Sequence, residues 1–114
     1  MKNTYFLPLG GTGEIGMNLN LYGYGENNNT DWIMVDCGVT FSQYGLPGID
    51  LQMPDPTFIA SQKDKLKGVI LTHAHEDHIG AMPFIWPFFN CPIYTTQFTA
   101  SLLIEKFDEY NIDY

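Results

Sequence analysis

The first third of the chain alternates between apolar and polar residues, which is the pattern of half-buried β-strands. The alternation is clearest over residues 17–25, where apolar side chains at odd positions face one way and polar or aromatic ones face the other. Residues 32–35 predict the return strand, reached through a polar turn at 26–31. An earlier strand is predicted over residues 5–7, and we expect it to stop at Pro8 and the glycines that follow.

The middle of the chain is less regular. Residues 39–55 contain several glycines and prolines and predict a long loop, a kind of segment that is usually functional or disordered. A short helix is expected around residues 57–62. Residues 68–71 are apolar throughout, which predicts a strand buried on both faces.

The last third predicts an interrupted helix, a short strand and a longer helix. Residues 79–89 have helical character, with Pro83 suited to a first turn and Pro87 expected to kink or end the helix. A strand is predicted over residues 92–95, and Thr96 is expected to cap the final helix. The apolar stripe of that helix, which we assign to the core, comprises Phe98, Leu102, Leu103, Phe107 and Tyr110.

Composition places the chain among small globular domains with an unusually apolar surface. Its 114 residues are enough for one domain, and 45% of them are hydrophobic, while only 16% are charged. Small domains have a large surface to cover. We therefore expect some of the apolar surface to face a partner or the rest of a longer protein.

The net charge of −8, with only 5 Lys and Arg, argues against a nucleic-acid-binding domain with a basic face. Any basic cradle for a polyanionic substrate must lie outside this chain. Cys37 and Cys91 lack metal or disulfide spacing and are expected to be small buried residues in a reducing compartment. No signal peptide and no apolar stretch long enough to span a membrane is evident, so the expected location is cytoplasmic.

A glycine motif near the N-terminus matches the dinucleotide-binding pattern in spacing only. Gly11–Gly16 satisfies G-x-G-x-x-G, and Asp36 lies 20 residues beyond Gly16. Pyrophosphate binding requires the third glycine to open a helix, whereas here it opens the alternating segment 17–25. The motif therefore predicts a tight turn, which either brings backbone close to a metal pocket or simply joins two strands.

The strongest chemical signal is a cluster of histidines and a carboxylate after the apolar run 68–71. Residues two apart in an extended segment point the same way, so His73 and His75 can reach one metal ion together. Asp77 and His78 follow one turn later and can reach a second. Imidazole and carboxylate are ligands that zinc and manganese accept. The alternative, a polar loop with ordinary histidines, does not account for this spacing.

The histidine motif, with Asp36 closing an earlier strand, resembles the metallo-β-lactamase superfamily. Four further segments narrow the resemblance to the ribonuclease J family of the β-CASP nuclease branch, and the loop around residues 48–50 is the most specific of them. The resemblance implies an α/β (α+β) fold, the N-terminal half of an αββα sandwich, with a mixed sheet flanked by helices. Residues 1–114 would form one partial domain. The segments are 9–18, 35–38, 47–51 with Pro54 and Asp55, and 72–80 with Pro83.

The same resemblance implies a two-metal hydrolase that cleaves RNA. His73 and His75 would hold one zinc ion and Asp77 and His78 the other, with manganese or magnesium as substitutes. Asp36 would lie behind the ligands and orient one of them, or else be a strand-end Asp that only forms hydrogen bonds. Asp77 would also help to orient the attacking water, and Glu76 would be a solvated neighbour.

Two other functions remain open at this point. The motif also fits a metallo-β-lactamase-fold hydrolase of thioesters or lactones, and the chain could be a non-catalytic metal-binding or assembly fragment. In the family the remaining ligands lie downstream, so we expect weak metal binding and no activity from this chain alone. We also expect self-association, for example as a homodimer, through an uncovered sheet face that includes Met17, Leu19, Leu21, Ile33 and Val35.

Overall fold

A computed structural model describes residues 1–41 and 51–114 of the chain. The elements form a mixed five-stranded sheet with helices packed on it, which confirms the predicted fold class. The strands are β1 (Asn3–Gly10), β2 (Leu19–Glu26), β3 (Asn29–Val35), β4 (Thr40–Phe41), β5 (Leu51–Gln52), β6 (Leu66–Ile70) and β7 (Ile93–Tyr94). The α-helices are α1 (Thr57–Ser61), α2 (Glu76–Ile79), α3 (Met82–Ile85) and α4 (Gln97–Glu109), with 3-10 turns at Lys63–Lys65 and Trp86–Phe88.

The strand order in the main sheet is β1-β2-β3-β6-β7. The first three strands are antiparallel, and β3, β6 and β7 run parallel to one another. The loop predicted over residues 39–55 is described only at its ends, where β4 and β5 pair antiparallel. Its centre, which includes Gly48, Ile49 and Asp50, lies outside the described residues.

Strand β1 continues through Pro8, so the prediction that it stops there is wrong. The reason is its position: β1 lies at the edge of the sheet and pairs only with β2. Proline cannot donate a hydrogen bond, and an edge strand tolerates that loss. The register shifts between Pro8 and Gly10, so the strand becomes irregular only after the proline.

The predicted hairpin of β2 and β3 is confirmed, but the expectation of an uncovered face that carries Leu19 and Leu21 is wrong, because helices cover that side and both residues are fully buried. Leu21 pairs with Met34, and both side chains are fully buried. Paired residues in a ladder point to the same face. Ile33 therefore faces the opposite way from Leu21 and is 41% exposed, and half-buried Val35 lies on that side as well.

Strand β6 is buried on one face only, which corrects the expectation of burial on both. Val69 is fully buried, whereas Ile70 is 40% exposed. The helices pack against the side of the sheet that carries Leu19, Leu21, Met34 and Val69. The other side, here called the open face, presents exposed apolar and aromatic side chains, namely Phe6, Tyr22, Tyr24, Ile33, Ile70 and Tyr94.

The helix predicted over residues 79–89 is divided into short pieces. α2 begins at Glu76, inside the histidine motif, and α3 carries Pro83 in its first turn as predicted. Pro87 lies in the 3-10 turn that ends the region. The indole Nε1 of Trp86 donates to the Cys91 carbonyl at 2.9 Å, which fixes the chain as it enters β7.

Helix α4 has the predicted cap and a core face rotated from the predicted one. Thr96 Oγ1 accepts from the Thr99 backbone N–H at 3.3 Å. The buried residues are Thr99, Leu103 and Phe107, spaced four apart. Phe98 and Tyr110, which are 71% and 45% exposed, do not belong to the core stripe, contrary to the prediction. No helix in the described parts of the chain is long and apolar enough to cross a bilayer.

We predict that Gly38→Ala destabilises the fold by about 3 kcal/mol, the upper end of the range for overpacking. A Cβ at Gly38 would lie 1.7 Å from the Asp77 carbonyl oxygen, so the two segments could not keep their contact. Gly13→Ala is the control, because a Cβ there meets nothing within 4 Å. Its left-handed backbone alone makes the substitution cost about 1–2 kcal/mol. Urea unfolding of both variants measures the difference, and equal losses would contradict the prediction.

Candidate metal centre

The candidate site lies where two neighbouring parallel strands end. β3 ends at Val35 and β6 at Ile70, and the Asp36 N–H donates to the Ile70 carbonyl at 2.8 Å. The carboxyl ends of parallel strands meet at one edge of a sheet, where α/β proteins commonly bind ligands. This geometry brings Asp36 beside the segment 72–78.

Backbone hydrogen bonds hold the histidine motif against the rest of the fold. The carbonyls of Glu76, Asp77 and His78 accept from three backbone N–H groups, at 3.0, 3.1 and 2.8 Å. Asn18 donates twice to the Asp77 carbonyl, through its backbone N–H and through Nδ2 at 3.0 Å. The three backbone donors are Val39, Asn18 and Cys37.

Asp36 is 5% exposed and connects the end of β3 to the motif. Its Oδ1 accepts from the Thr72 backbone N–H at 2.8 Å, and its Oδ2 lies 2.7 Å from His78 Nδ1. Because a carboxylate oxygen accepts here, Nδ1 carries the proton, and Nε2 is the ring atom that could bind a cation. Asn18 Nδ2 and Asp77 Oδ2 each lie 3.5 Å from this Nε2. Asp36 therefore lies where an orienting carboxylate would be needed.

Burial, and secondly the charge of Asp36, raise the pKa of Cys37 above its ordinary value. A protonated thiol is a poor metal ligand, because binding requires the thiolate. Cys37 and Cys91 are both buried and free of disulfide bonds, as the sequence predicted. The chemistry of the site therefore belongs to imidazole and carboxylate groups.

Three of the predicted ligands come together within the described residues. His73, Asp77 and His78 each offer one ligand atom, and these atoms all lie within 4.8 Å of one another. The His73 ring also packs edge-on against His75, with centroids 4.8 Å apart. This donor set suits a divalent cation such as zinc. The division of ligands between two ions stays a prediction.

The glycine turn borders a cleft of about 370 Å³ next to these ligands. Gly16, Thr40 and Phe41 line it together with His75 and Asp77. A Cβ at Gly16 would lie 2.8 Å from the Thr40 side chain. A strand, β2, follows the turn where dinucleotide binding would require a helix, so the glycine motif is not a dinucleotide site, as predicted. The turn instead brings backbone close to the candidate metal site.

The sequence reasoning missed several supporting residues. Thr72 Oγ1 bonds to Asp36, and its place directly before the motif was the available signal. Asn18 carried no such signal, because its partner Asp77 is 59 residues away. Glu76 is not only a solvated neighbour, since its carboxylate pairs with Lys106 of α4.

Comparison with known proteins identifies the family of the chain. Residues 21–111 match the family model described as the metallo-beta-lactamase superfamily. The chain is 59% identical over 101 residues to ribonuclease J of Sinorhizobium meliloti (89% of this chain, 18% of that protein). It is 41% identical over 105 residues to ribonuclease J of Helicobacter pylori (92% and 15%), and 36% identical over 111 residues to that of Thermus thermophilus (93% and 19%).

The chain thus spans less than a fifth of the length of these curated relatives. The family model covers most of the chain and includes the whole histidine motif. The matches to the ribonucleases J cover about nine-tenths of this chain. The chain therefore belongs to the metallo-beta-lactamase superfamily, within which it is similar to the ribonucleases J.

Proposed function

We propose that this chain carries part of the metal centre of a metal-dependent ribonuclease of the ribonuclease J type. The observation that carries the proposal is the convergence of His73, Asp77 and His78 within 4.8 Å, with Asp36 holding the His78 ring. The relatives named ribonuclease J supply the substrate class. An RNA phosphodiester is the proposed target.

The proposed ligands are His73 and His75 for one ion and Asp77 and His78 for a second, with zinc as the metal and manganese or magnesium as substitutes. Bound metals of this kind lower the pKa of water and stabilise charge on a phosphate. Asp36 fixes the tautomer and orientation of His78. Asp77 is half-buried and has two oxygens, so one of them can accept a proton of the attacking water.

The negative charge of this chain suggests that RNA binding belongs to the other parts of a ribonuclease J-type protein. A net charge of −8 repels RNA at long range. The chain matches 18% and 15% of the length of two of these relatives, and a basic RNA channel would belong to their additional length. We propose that the 114 residues alone do not cleave RNA.

The open face is proposed to be a packing surface. Two sheets that pack face to face bury the inward side chains of both. Phe6, Tyr22 and Ile33 are paired neighbours on this face and are 55%, 46% and 41% exposed. In the αββα sandwich implied by the family, a second sheet covers it, and in this chain alone a second copy would do so. We therefore propose that two copies of this chain form a homodimer through their open faces.

We predict that the chain binds zinc or manganese weakly and that His73→Ala lowers the metal affinity more than about 100-fold. Loss of a group that only hydrogen-bonds to a metal ligand already lowers metal affinity about 10–100-fold, and loss of a ligand should cost more. His75→Ala distinguishes two arrangements. It matches His73→Ala if those two residues share an ion, and has little effect if His73, Asp77 and His78 form one site. Asp31→Asn, an exposed carboxylate on β3, is the control. Equilibrium dialysis gives the affinities, and equal metal binding by all variants would refute the site.

We predict no cleavage of labelled single-stranded RNA by this chain in the presence of manganese. The physical reasons are the repulsive net charge and the incomplete ligand set. Gel electrophoresis of the RNA after incubation should show the same pattern for the wild-type chain and for His78→Ala. Cleavage that disappears in His78→Ala would contradict the prediction and mean that this part of the site is competent.

We predict that the chain self-associates at concentrations of roughly tens of micromolar. Apolar surface contributes about 25 cal/mol per Å² when it is buried, so a covered open face gains several kcal/mol. Ile33→Lys should shift the chain towards monomer. Phe98→Lys, on the exposed side of α4, is the matched control and should not. Light scattering coupled to size exclusion measures the mass, and a wild-type monomer with a cooperative melt would refute the prediction.

A further inference from the structure

An ion pair joins helix α4 to the first residue of α2. Lys106 Nζ contacts Glu76 Oε1, and the two side chains are 21% and 43% exposed. They lie in a groove between α4 and the histidine motif that is also lined by Ala74, Ile79 and Leu102. The chain has only 5 Lys and Arg in all, and this one is placed against the motif.

Helix α2 depends on such outside contacts for its position. It has four residues and no side-chain N-cap, and an isolated single turn is unstable in water. Backbone hydrogen bonds from Asn18, Cys37 and Val39 hold the carbonyls of its residues. The Glu76–Lys106 pair adds a contact to α4 at the residue directly before Asp77 and His78.

The ion pair also determines where a competing carboxylate points. Glu76 is adjacent to Asp77 and could bind a cation if its side chain were free. Its Oε2 instead lies beside Gly80, where an added Cβ would be only 2.7 Å away. Within the described residues, the ligand cluster contains His73, Asp77 and His78 but not Glu76. The absence of a side chain at Gly80 leaves room for this folded-back conformation.

We propose that Lys106 is a positioning residue for the metal centre, acting through Glu76. It holds the single turn of α2 so that Asp77 and His78 face His73, and it keeps the Glu76 carboxylate out of the ligand cluster. This inference rests on the proposed metal-binding function. It adds Lys106, a residue of α4 that lies 30 positions after Glu76, to the residues that determine the geometry of that site.

The experiment compares Lys106→Met, Glu76→Gln, the double variant and Lys106→Arg. The control is Lys67→Met, which removes an exposed ion pair with Asp31 whose N–O distance is 3.6 Å. One readout is titration with Co²⁺, followed through the d–d absorption band that reports ligand geometry. The other is amide hydrogen exchange in the metal-free chain at His78, Ile79 and Gly80, which donate within this turn.

We expect Lys106→Met and Glu76→Gln each to weaken Co²⁺ binding about tenfold, the lower end for loss of an outer partner. The double variant should match Glu76→Gln, because Lys106 acts through the Glu76 carboxylate and has no effect once that carboxylate is gone. The cobalt band should change shape and the three amides should exchange faster. Lys106→Arg should keep the wild-type values, and Lys67→Met should alter neither readout.

The results separate this inference from the proposed function. If Lys106→Met lowers only the melting temperature, while the cobalt affinity, the band and the exchange at α2 stay unchanged, the pair is merely structural and the inference is overturned. If the wild-type chain takes up no Co²⁺, the proposed function fails and this inference fails with it. Uptake by the wild-type chain that is unchanged in Lys106→Met overturns the inference alone.

Discussion

The arrangement of the site depends on a backbone seam between three segments that are far apart in sequence. The N–H groups of Asn18, Cys37 and Val39 donate to three successive carbonyls of the histidine motif. Gly38 lies within this seam, where no side chain would fit. Because buried backbone groups must be paired, the seam also satisfies donors that an irregular loop would otherwise leave open. Two candidate ligands, Asp77 and His78, are thus held by main-chain hydrogen bonds before any metal binds.

Asp36 links this seam to the chemistry. Its backbone has φ of 65°, a conformation that costs a non-glycine residue energy. The carboxylate so placed accepts from the Thr72 N–H and holds His78 Nδ1. A local cost of about 1–3 kcal/mol is therefore offset by hydrogen bonds that orient a candidate ligand. The same buried charge contributes to the raised pKa of Cys37, which keeps that neighbouring thiol protonated.

The two faces of the sheet have different roles. One carries Leu21 and Met34 into a core with the helices, and this core supports the strand ends at which the site is built. The other presents paired aromatic and aliphatic side chains to solvent. A sheet with one covered and one apolar open face is consistent with a chain that matches under a fifth of its relatives' length. We propose that the open face is completed by further β-structure or by a second copy.

The sequence by itself determined the features that depend on neighbouring residues. The alternation of residues 17–25 predicted β2, and Thr96 predicted the cap of α4. The spacing of the histidines predicted four candidate ligands, of which the structure brings His73, Asp77 and His78 together. Each of these is a local pattern, because strand and helix periodicity and metal-ligand spacing act over a few residues.

Tertiary structure alone decided the features that depend on which segments become neighbours. The pairing of Leu21 with Met34 sent Ile33 to the open face, and the edge position of β1 allowed Pro8 within a strand. The contacts of Asn18 with Asp77 and of Lys106 with Glu76 join residues that no short pattern connects. Strand register and long-range contacts are settled by the packing of the whole core, and a local pattern does not specify them.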